Sequence, residues 1–228
     1  MACGHRLGER LIGFGVFRGG TKPRLKLLAL AGAVLAAIGV AVSVALVSSR
    51  SLPDSQPNRY RGIEEPRGIA MPAFSLRSYR GQRVRSSDYR GKVVVLTFLD
   101  TNCKDACPIV ASVVADAVRV LSPSERREIV SVAITSDPRV DTAPAIRTFL
   151  RRHHALGALD YLIGPISSLR LVWRSFQVLS SFESGDANVH SAPVRVYSRG
   201  GEWLATEHAG VDLSAANLAH DVRVALRR

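Results

Sequence analysis

Two cysteines lie four positions apart where a predicted buried strand gives way to a predicted helix. Cys103 and Cys107 follow the apolar run 93–99, whose β-branched residues are typical of a central strand. Residues 100–102 (D-T-N) read as a turn, and Pro108 is well tolerated at the first position of a helix. The pattern predicts a strand that delivers two thiols to the start of a helix, with Cys107 at its cap.

Thiols in this position can do two kinds of chemistry. The positive end of the helix dipole favours thiolate, and thiolates four residues apart on a helical turn can share a soft metal ion or close a disulfide. The spacing alone also fits two small buried apolar residues, because C-x3-C belongs to no single chemistry. These are the only cysteines after residue 47, which favours a joint role.

The charge of the chain indicates what kind of partner it has. The 228 residues carry a formal net charge of +12, which suggests nucleic acid or an anionic membrane. Residues 1–26 hold six basic side chains against the single acid Glu9, and the remaining positive charge is spread without a dense run. This distribution argues against nucleic acid. The length suits one domain of ordinary size with extensions.

A charge-free segment of 21 residues, Leu27 to Val47, predicts a transmembrane anchor. As a helix it would span about 30 Å, the thickness of a bilayer core. A cleaved signal peptide is the competing interpretation, although its apolar region is normally shorter, roughly 7–15 residues. The basic residues 1–26 place the N-terminus in the cytoplasm and everything after Val47 outside. Cys3 would then lie on the inner side, away from Cys103 and Cys107.

Residues 48–71 are predicted to be an extended linker, because they contain several Ser, Pro and Gly residues and lack periodicity. From residue 72 onward the pattern is globular and alternates strands with helices. It begins with a short hairpin and ends with a hairpin around Arg199-Gly200-Gly201 and an amphipathic helix. We predict a mixed sheet sandwiched by helices. The predicted strands are 73–76, a short one that follows a turn within 79–86, and then 93–99, 129–135, 161–163, 189–197 and 202–208. The predicted helices follow Pro108, span 145–154, start at Ser167 and span 212–227.

Four stretches of this domain resemble the Sco/SenC family of membrane-tethered thioredoxin-fold proteins. Residues 97–108 (T-F-L-D-T-N-C-K-D-A-C-P) are similar to the family's strand followed by C-x-x-x-C-P, and residues 188–192 (N-V-H-S-A) to its D-H-S-A. Residues 134–144 and 162–178 resemble its S-x-D-P-x-x-D-T-P loop and its L-x-G-x…L-x-x-x-[FY]-x-V segment. The likeness covers residues 72–228. It implies an α/β, thioredoxin-like fold with an N-terminal hairpin extension.

The resemblance also implies a copper site made of two cysteines and one histidine. By motif match the metal ligands are Cys103, Cys107 and His190, the histidine approaching from a loop across the sheet. Soft thiolates suit Cu(I), and an added imidazole admits Cu(II) as well. Four further histidines have no matched position and are expected to be solvated surface residues: His153, His154, His208 and His220. His5 would lie inside the cell.

The sequence departs from the family pattern in several places. Val189 replaces the acid that usually precedes the histidine, which leaves the partner of His190 open. Pro193 places the start of the following strand at an edge or a bulge. Lys104 stands where the family often has proline. Asp105 is read as a helix-cap acid, and Asp137 as either a turn residue or a neighbour of the site.

The leading functional hypothesis is a copper chaperone for a terminal cytochrome oxidase. It would pass copper to a subunit that holds the dinuclear centre, a recipient that comes from the resemblance alone. The alternative is a thiol–disulfide oxidoreductase with Cys103 and Cys107 as its redox-active pair. A peroxiredoxin-type peroxidase is disfavoured, because those enzymes place threonine three residues before the reactive cysteine, where this chain has Asp100. A structural zinc site is disfavoured as well, because such sites take four protein ligands and the motif match supplies three. We expect a single-pass protein of a bacterial plasma membrane rather than of a mitochondrial inner membrane.

Overall fold

The computed structural model describes residues 59–228, which form an eight-stranded mixed sheet with helices on both faces. The strands lie in the order β1-β8-β7-β4-β5-β6-β2-β3 across the sheet. They are β1 (Ile63–Glu64), β2 (Ser75–Ser78), β3 (Arg83–Arg85), β4 (Val93–Leu99), β5 (Ile129–Thr135), β6 (Asp160–Ile163), β7 (Val194–Tyr197) and β8 (Trp203–Glu207). The helices are α1 (Ala106–Val120), α2 (Pro123–Arg127), α3 (Ala143–Arg152), α4 (Ile166–Ser175), α5 (Ser181–Ser184) and α6 (Ala215–Leu226), with a 3-10 turn at Ser86–Tyr89.

Strand β4 forms the centre of the sheet because its side chains are apolar on both faces. All seven of its residues are buried, and it pairs in parallel with β5 and antiparallel with β7. On one face it meets a cluster that includes Val114 of α1 and Leu218 of α6. On the other face it meets a cluster centred on Trp173 of α4. A sheet covered by helices on both faces was predicted from the sequence, and this prediction is confirmed.

The strand directions give the sheet two distinct ends. Strands β4, β5 and β6 are parallel, so all three finish at one end, which we call the upper end. Strand β7 starts at the upper end and runs antiparallel to β4. The turn 198–202 and the end of α6 therefore lie at the opposite, lower end, where Nη2 of Arg199 lies 3.4 Å from the Leu226 carbonyl oxygen. At about 3.3 Å per residue, β4 separates the two ends by roughly 20 Å.

The described part of the predicted linker, residues 59–71, packs against the sheet. Tyr60 is buried, and β1 pairs with β8. The backbone N–H groups of Arg61 and Gly62 donate to the Asp221 carboxylate at 2.7 and 2.9 Å. A side chain at Gly62 would collide with the Thr206 carbonyl, so only glycine allows this close approach. The linker prediction is therefore wrong for these residues, whose Gly- and Pro-rich composition does not reveal a two-residue strand.

Most other elements match their predicted positions, and the differences concern their ends. Both predicted hairpins are present, as β2–β3 and β7–β8. Helix α3 starts two residues early, because Thr142 caps it and Pro144 is tolerated in the first turn. Helix α4 starts after Pro165 rather than at a Ser167 cap. Pro193 precedes β7, which lies inside the sheet, so the expectation of an edge or a bulge at that start is wrong.

The predicted anchor at 27–47, Cys3 and His5 lie outside the described residues. Within residues 59–228, no helix is both long enough and apolar enough to cross a bilayer.

Glu207 is a buried carboxyl group that makes the stability of the domain depend on pH. It is 0% exposed, and neither carboxyl oxygen has a hydrogen-bond partner. Burial, with Asp221 and Asp212 nearby, raises its pKa to about 9. Because the folded state holds this proton more tightly than the unfolded chain, stability is lost as pH rises from about 4.5 towards 9.

Replacing Glu207 with glutamine is expected to remove this pH dependence. We expect Glu207→Gln to raise the free energy of unfolding by on the order of a few kcal/mol at alkaline pH and little at acid pH, because glutamine cannot ionise. Urea unfolding of both proteins across this pH range is the measurement. An equal effect of the substitution at acid and alkaline pH would mean that Glu207 stays ionised in the folded protein.

Candidate metal centre

The loop that carries Cys103 leaves β4 at the upper end and is held by local hydrogen bonds. The Asn102 N–H donates to a carboxylate oxygen of Asp100 at 2.7 Å, and the Cys103 N–H donates to the Asp100 carbonyl at 3.2 Å. The Ser181 hydroxyl donates to the other carboxylate oxygen of Asp100 at 2.6 Å. The predicted turn is therefore present, and Asp100 fixes its shape.

A buried carboxylate supports this loop from below. The Thr101 N–H donates to Asp141 at 2.9 Å, and the hydroxyl groups of Thr135 and Tyr161 donate to its other oxygen at 2.6 and 2.8 Å. Burial raises the pKa of Asp141 to about 6, against these hydrogen bonds, which lower it. Sequence reasoning missed Asp141 as a support of the cysteine loop. The available signal was that Asp141 lies in the same family-like loop, residues 136–144, as Asp137.

Cys107 lies in the first turn of α1. The helix begins at Ala106, two residues before the predicted start, so Cys107 is its second residue and not its cap. Asp105 occupies the cap position, but its side chain makes no capping hydrogen bond. The Asp100 N–H approaches the Cys107 sulfur at 3.4 Å, and Cys107 is completely buried. Cys103 is 4% exposed and is the more accessible thiol.

His190 reaches the two cysteines from the loop before β7. Its Nε2 lies 3.1 Å from the Cys107 sulfur, and its Nδ1 lies 3.1 Å from the Ser191 carbonyl oxygen. Because a carbonyl can only accept, Nδ1 carries a proton. Nε2 therefore donates to a thiolate when the ring is charged and offers its lone pair to a metal when the ring is neutral. The backbone carbonyl thus takes the orienting role that an acid before the histidine could have had. Val189, at that position, is exposed.

The two thiols and the imidazole share protons unequally. A hydrogen bond from the Cys107 thiol, with a further one from His190, lowers the pKa of Cys103 to about 4 despite burial. The same hydrogen bond and burial raise the pKa of Cys107. Burial lowers the pKa of His190, but contacts with Cys103 and the Ser191 carbonyl outweigh it and the pKa is raised. At neutral pH this arrangement holds one thiolate, on Cys103.

These three side chains make a suitable donor set for copper. The sulfur atoms of Cys103 and Cys107 and a ring nitrogen of His190 all lie within 4.8 Å of one another. Both cysteines are free thiols. Two thiolates and one imidazole suit Cu(I) and admit Cu(II), whereas a structural zinc site needs a fourth protein ligand. Within residues 59–228 no other group of three or more His, Cys, Asp or Glu side chains meets this geometry.

The remaining candidates lie outside the cluster. Asp137 is paired with Arg139 in the turn after β5, and it directly follows Ser136, whose hydroxyl lies 3.5 Å from Nδ1 of His190. His154, His208 and His220 do not join the cluster, and Nδ1 of His220 contacts Asp221. Only His154 among the four histidines expected to be solvated is exposed, and the other three are half-buried. The His153 ring packs on Phe149, with ring centroids 4.7 Å apart.

A cleft beside the cluster gives access to Cys103. Its lining includes Cys103, Asn188 and Pro108, with Phe149, Arg152 and His153 of the α3 region on the far side. Lys104 also lines it, and the Lys104 N–H donates to the Asn188 side chain at 2.9 Å. Cys107 and His190 do not line this cleft. A partner entering the cleft would therefore meet Cys103 first.

Comparison with known proteins identifies the family. The sequence profile of SCO1/SenC matches residues 64–226. The chain belongs to the SCO1/SenC family. A curated member, the mitochondrial SCO2 homolog of Mus musculus, is 26% identical over 224 residues, covering 96% of this chain and 85% of that protein.

Solved structures show the same fold. Bradyrhizobium japonicum ScoI, solved with copper bound, has a TM-score of 0.58 at 20% identity and covers 69% of this chain and 99% of its own. BsSco, described as a Sco-family cytochrome c oxidase assembly protein with a disulfide switch, has a TM-score of 0.60 at 20% identity, covering 72% and 96%. The thioredoxin domain of a Bacteroides vulgatus thiol–disulfide oxidoreductase has a TM-score of 0.53 at 13% identity, covering 70% and 96%. The predicted thioredoxin-like α/β fold is confirmed.

Proposed function

We propose that this protein binds one copper ion through Cys103, Cys107 and His190 and delivers it to the dinuclear copper centre of a terminal cytochrome c oxidase. The observation that carries the proposal is the cluster of two sulfurs and one imidazole nitrogen within 4.8 Å. The copper bound to the Bradyrhizobium japonicum relative supports the cargo, and the membership of BsSco in a family of cytochrome c oxidase assembly proteins supports the recipient.

The site is arranged for uptake of a soft cation. Cys103 is already a thiolate, so of the two thiols only Cys107 must lose its proton when Cu(I) enters. The Ser191 carbonyl holds a proton of His190 on Nδ1, so the nitrogen left to bind copper is Nε2, which faces the Cys107 sulfur. For release, a thiol of the recipient enters the cleft beside Cys103 and replaces that ligand first, since Cys107 is fully buried.

A thiol–disulfide oxidoreductase is the second candidate, favoured by the lowered pKa of Cys103. The Cys103 thiolate attacks a disulfide of the recipient, forms a mixed disulfide and releases one recipient thiolate. Cys107 then loses its proton and attacks the Cys103 sulfur, releasing the second thiolate. Two electrons pass to the recipient, and this protein is left with a Cys103–Cys107 disulfide that an external dithiol must reduce.

The charge-free segment 27–47 supports a membrane location for either function. We infer that it anchors the chain in a bacterial plasma membrane, with the metal site outside the cytoplasm. Carbonate extraction of membranes, followed by protease treatment of spheroplasts, tests both the anchor and the orientation.

Copper stoichiometry tests the proposed site directly. We expect the reduced protein to bind one Cu(I) per chain in titrations against a competing chelator, because two soft thiolates select Cu(I). Cys103→Ser combined with Cys107→Ser is expected to abolish this binding. The matched control is His153→Ala combined with His154→Ala, which removes two imidazoles outside the cluster. Undiminished binding by the double cysteine variant would place the copper elsewhere.

A further inference from the structure

The two ends of the sheet carry opposite charge. The connections at the upper end, around the cysteines and His190, hold six aspartates and two cations. The connections at the lower end, including the last two residues, hold eight cations and four acids, and residues 59–71 add three arginines and two glutamates. The upper connections are 100–105, 136–142, 164–165, 185–193 and 208–214, and the lower ones are 79–82, 86–92, 121–128, 153–159, 198–202 and 227–228.

Four arginines converge at the lower end in a cleft of roughly 490 Å³. Arg59, Arg67 and Arg228 are exposed there, and the only acid in the lining is Glu202. Glu202 is occupied by the Gly68 N–H at 3.0 Å and lies 3.8 Å from Arg228, a separation too long for a hydrogen bond. Within residues 59–228, neither Arg59 nor Arg67 has an ion-pair partner.

The fourth arginine is fixed by the fold. Nη1 of Arg199 donates to the Glu128 carboxylate at 2.6 Å and lies 3.3 Å from the Gly91 carbonyl. A second cleft adjoins the first, shares Arg199 with it and adds Arg90, Ser86 and Ser87. Guanidinium groups and hydroxyls spaced over two adjoining clefts can bind more than one phosphate group at a time.

The described part of the chain begins at this basic face. Arg59, the first described residue, lines the basic cleft, and only residues 48–58 separate it from the predicted anchor. From these features we propose that the lower end docks on the anionic phospholipid headgroups of the membrane. The acidic upper end and the copper ligands then face away from the bilayer, about 20 Å above it, where a recipient can approach.

The test uses the full chain in lipid nanodiscs with and without phosphatidylglycerol in phosphatidylcholine. Hydrogen exchange is followed at residues 59–68 and 198–202, with residues 185–193 as the internal reference. We expect anionic lipid to slow exchange severalfold at the lower end and not at the reference. Each arginine that faces an anionic surface contributes about fivefold to docking, so Arg59→Gln, Arg67→Gln and Arg228→Gln together should abolish the protection.

The control variant removes three exposed arginines elsewhere, as Arg83→Gln, Arg147→Gln and Arg151→Gln. It loses the same charge and is expected to keep the protection. Equal loss of this protection in both variants would overturn the proposal. Absence of any protection by anionic lipid would also overturn it and would favour an acidic protein as the partner of the basic face. Protection by inorganic phosphate in neutral discs would also overturn it and indicate a free-phosphate site. Incorporation of the protein into neutral discs tests the predicted anchor independently of the docking surface. Copper binding is expected to be the same in the unchanged protein and in both variants.

Discussion

Oxidation of Cys103 and Cys107 to a disulfide is expected to lower the affinity for Cu(I) by about four orders of magnitude. The binding free energy of a structural metal site with four ligands is ~10–16 kcal/mol. Divided among the ligands, this corresponds to about a hundredfold or more in affinity for each one. The disulfide removes two of the three donors in the cluster, because a two-electron oxidation joins the sulfurs in one bond and removes the negative charge that makes each thiolate a strong ligand. A single imidazole then remains.

Titration against a Cu(I) chelator, before and after oxidation, measures this difference. The double variant Cys103→Ser, Cys107→Ser is the control, since its weak binding should not respond to oxidant. Reduction with a small dithiol should restore the full affinity. Equal affinities in the two redox states would show that copper is held by other groups, such as the histidines outside the cluster.

This dependence makes the two candidate functions exclude each other within one molecule. A chain that has reduced a recipient disulfide holds its own disulfide and has lost both soft ligands. A copper-loaded chain has both sulfurs bound and no free thiolate for exchange. Copper delivery and reduction of the same recipient would therefore need two molecules, or one molecule that is reduced between the steps.

The sequence predicted the strand–turn–helix around the cysteines because that information is local. The apolar run 93–99 and the turn at Asp100 lie next to each other, and their structure follows from composition. The prediction failed where contacts are distant in sequence. Residues 59–71 pack on β8 through pairing more than 130 residues away, and nothing in their own composition reveals it. The position of Glu207 in the core likewise depends on distant partners, namely Asp221 of α6 and the close approach of Gly62.

The residues of the candidate site likewise divide into those that local sequence reveals and those that depend on distant contacts. Cys103 and Cys107 were evident from type and spacing, whereas His190 was found only by motif match, 83 residues after Cys107. Its orientation by the Ser191 carbonyl follows from a loop conformation that no periodicity predicts. The role of Asp141 required the loop after β5 to be seen beneath the loop after β4. Two parallel neighbouring strands bring these loops together at the upper end.

Replacement of His190 by alanine is expected to separate copper binding from thiol exchange. We expect His190→Ala to weaken Cu(I) binding about a hundredfold, the approximate value of one ligand. Imidazole takes no covalent part in thiol exchange, so the Cys103–Cys107 pair should still cycle. The hydrogen bond with His190 helps to lower the pKa of Cys103, so its loss should raise that pKa and change the exchange rate only modestly.

Two measurements on the same variant are needed: the Cu(I) affinity, and the rate of disulfide exchange with a small dithiol. His154→Ala, which removes an exposed imidazole outside the cluster, is the matched control and should change neither. In cells, loss of oxidase assembly with His190→Ala while exchange stays intact is the result expected for copper delivery. Normal assembly with His190→Ala, and failure only when Cys103 or Cys107 is replaced, would falsify delivery as the main role. That outcome would favour the oxidoreductase, because thiol exchange needs the two sulfurs and no imidazole.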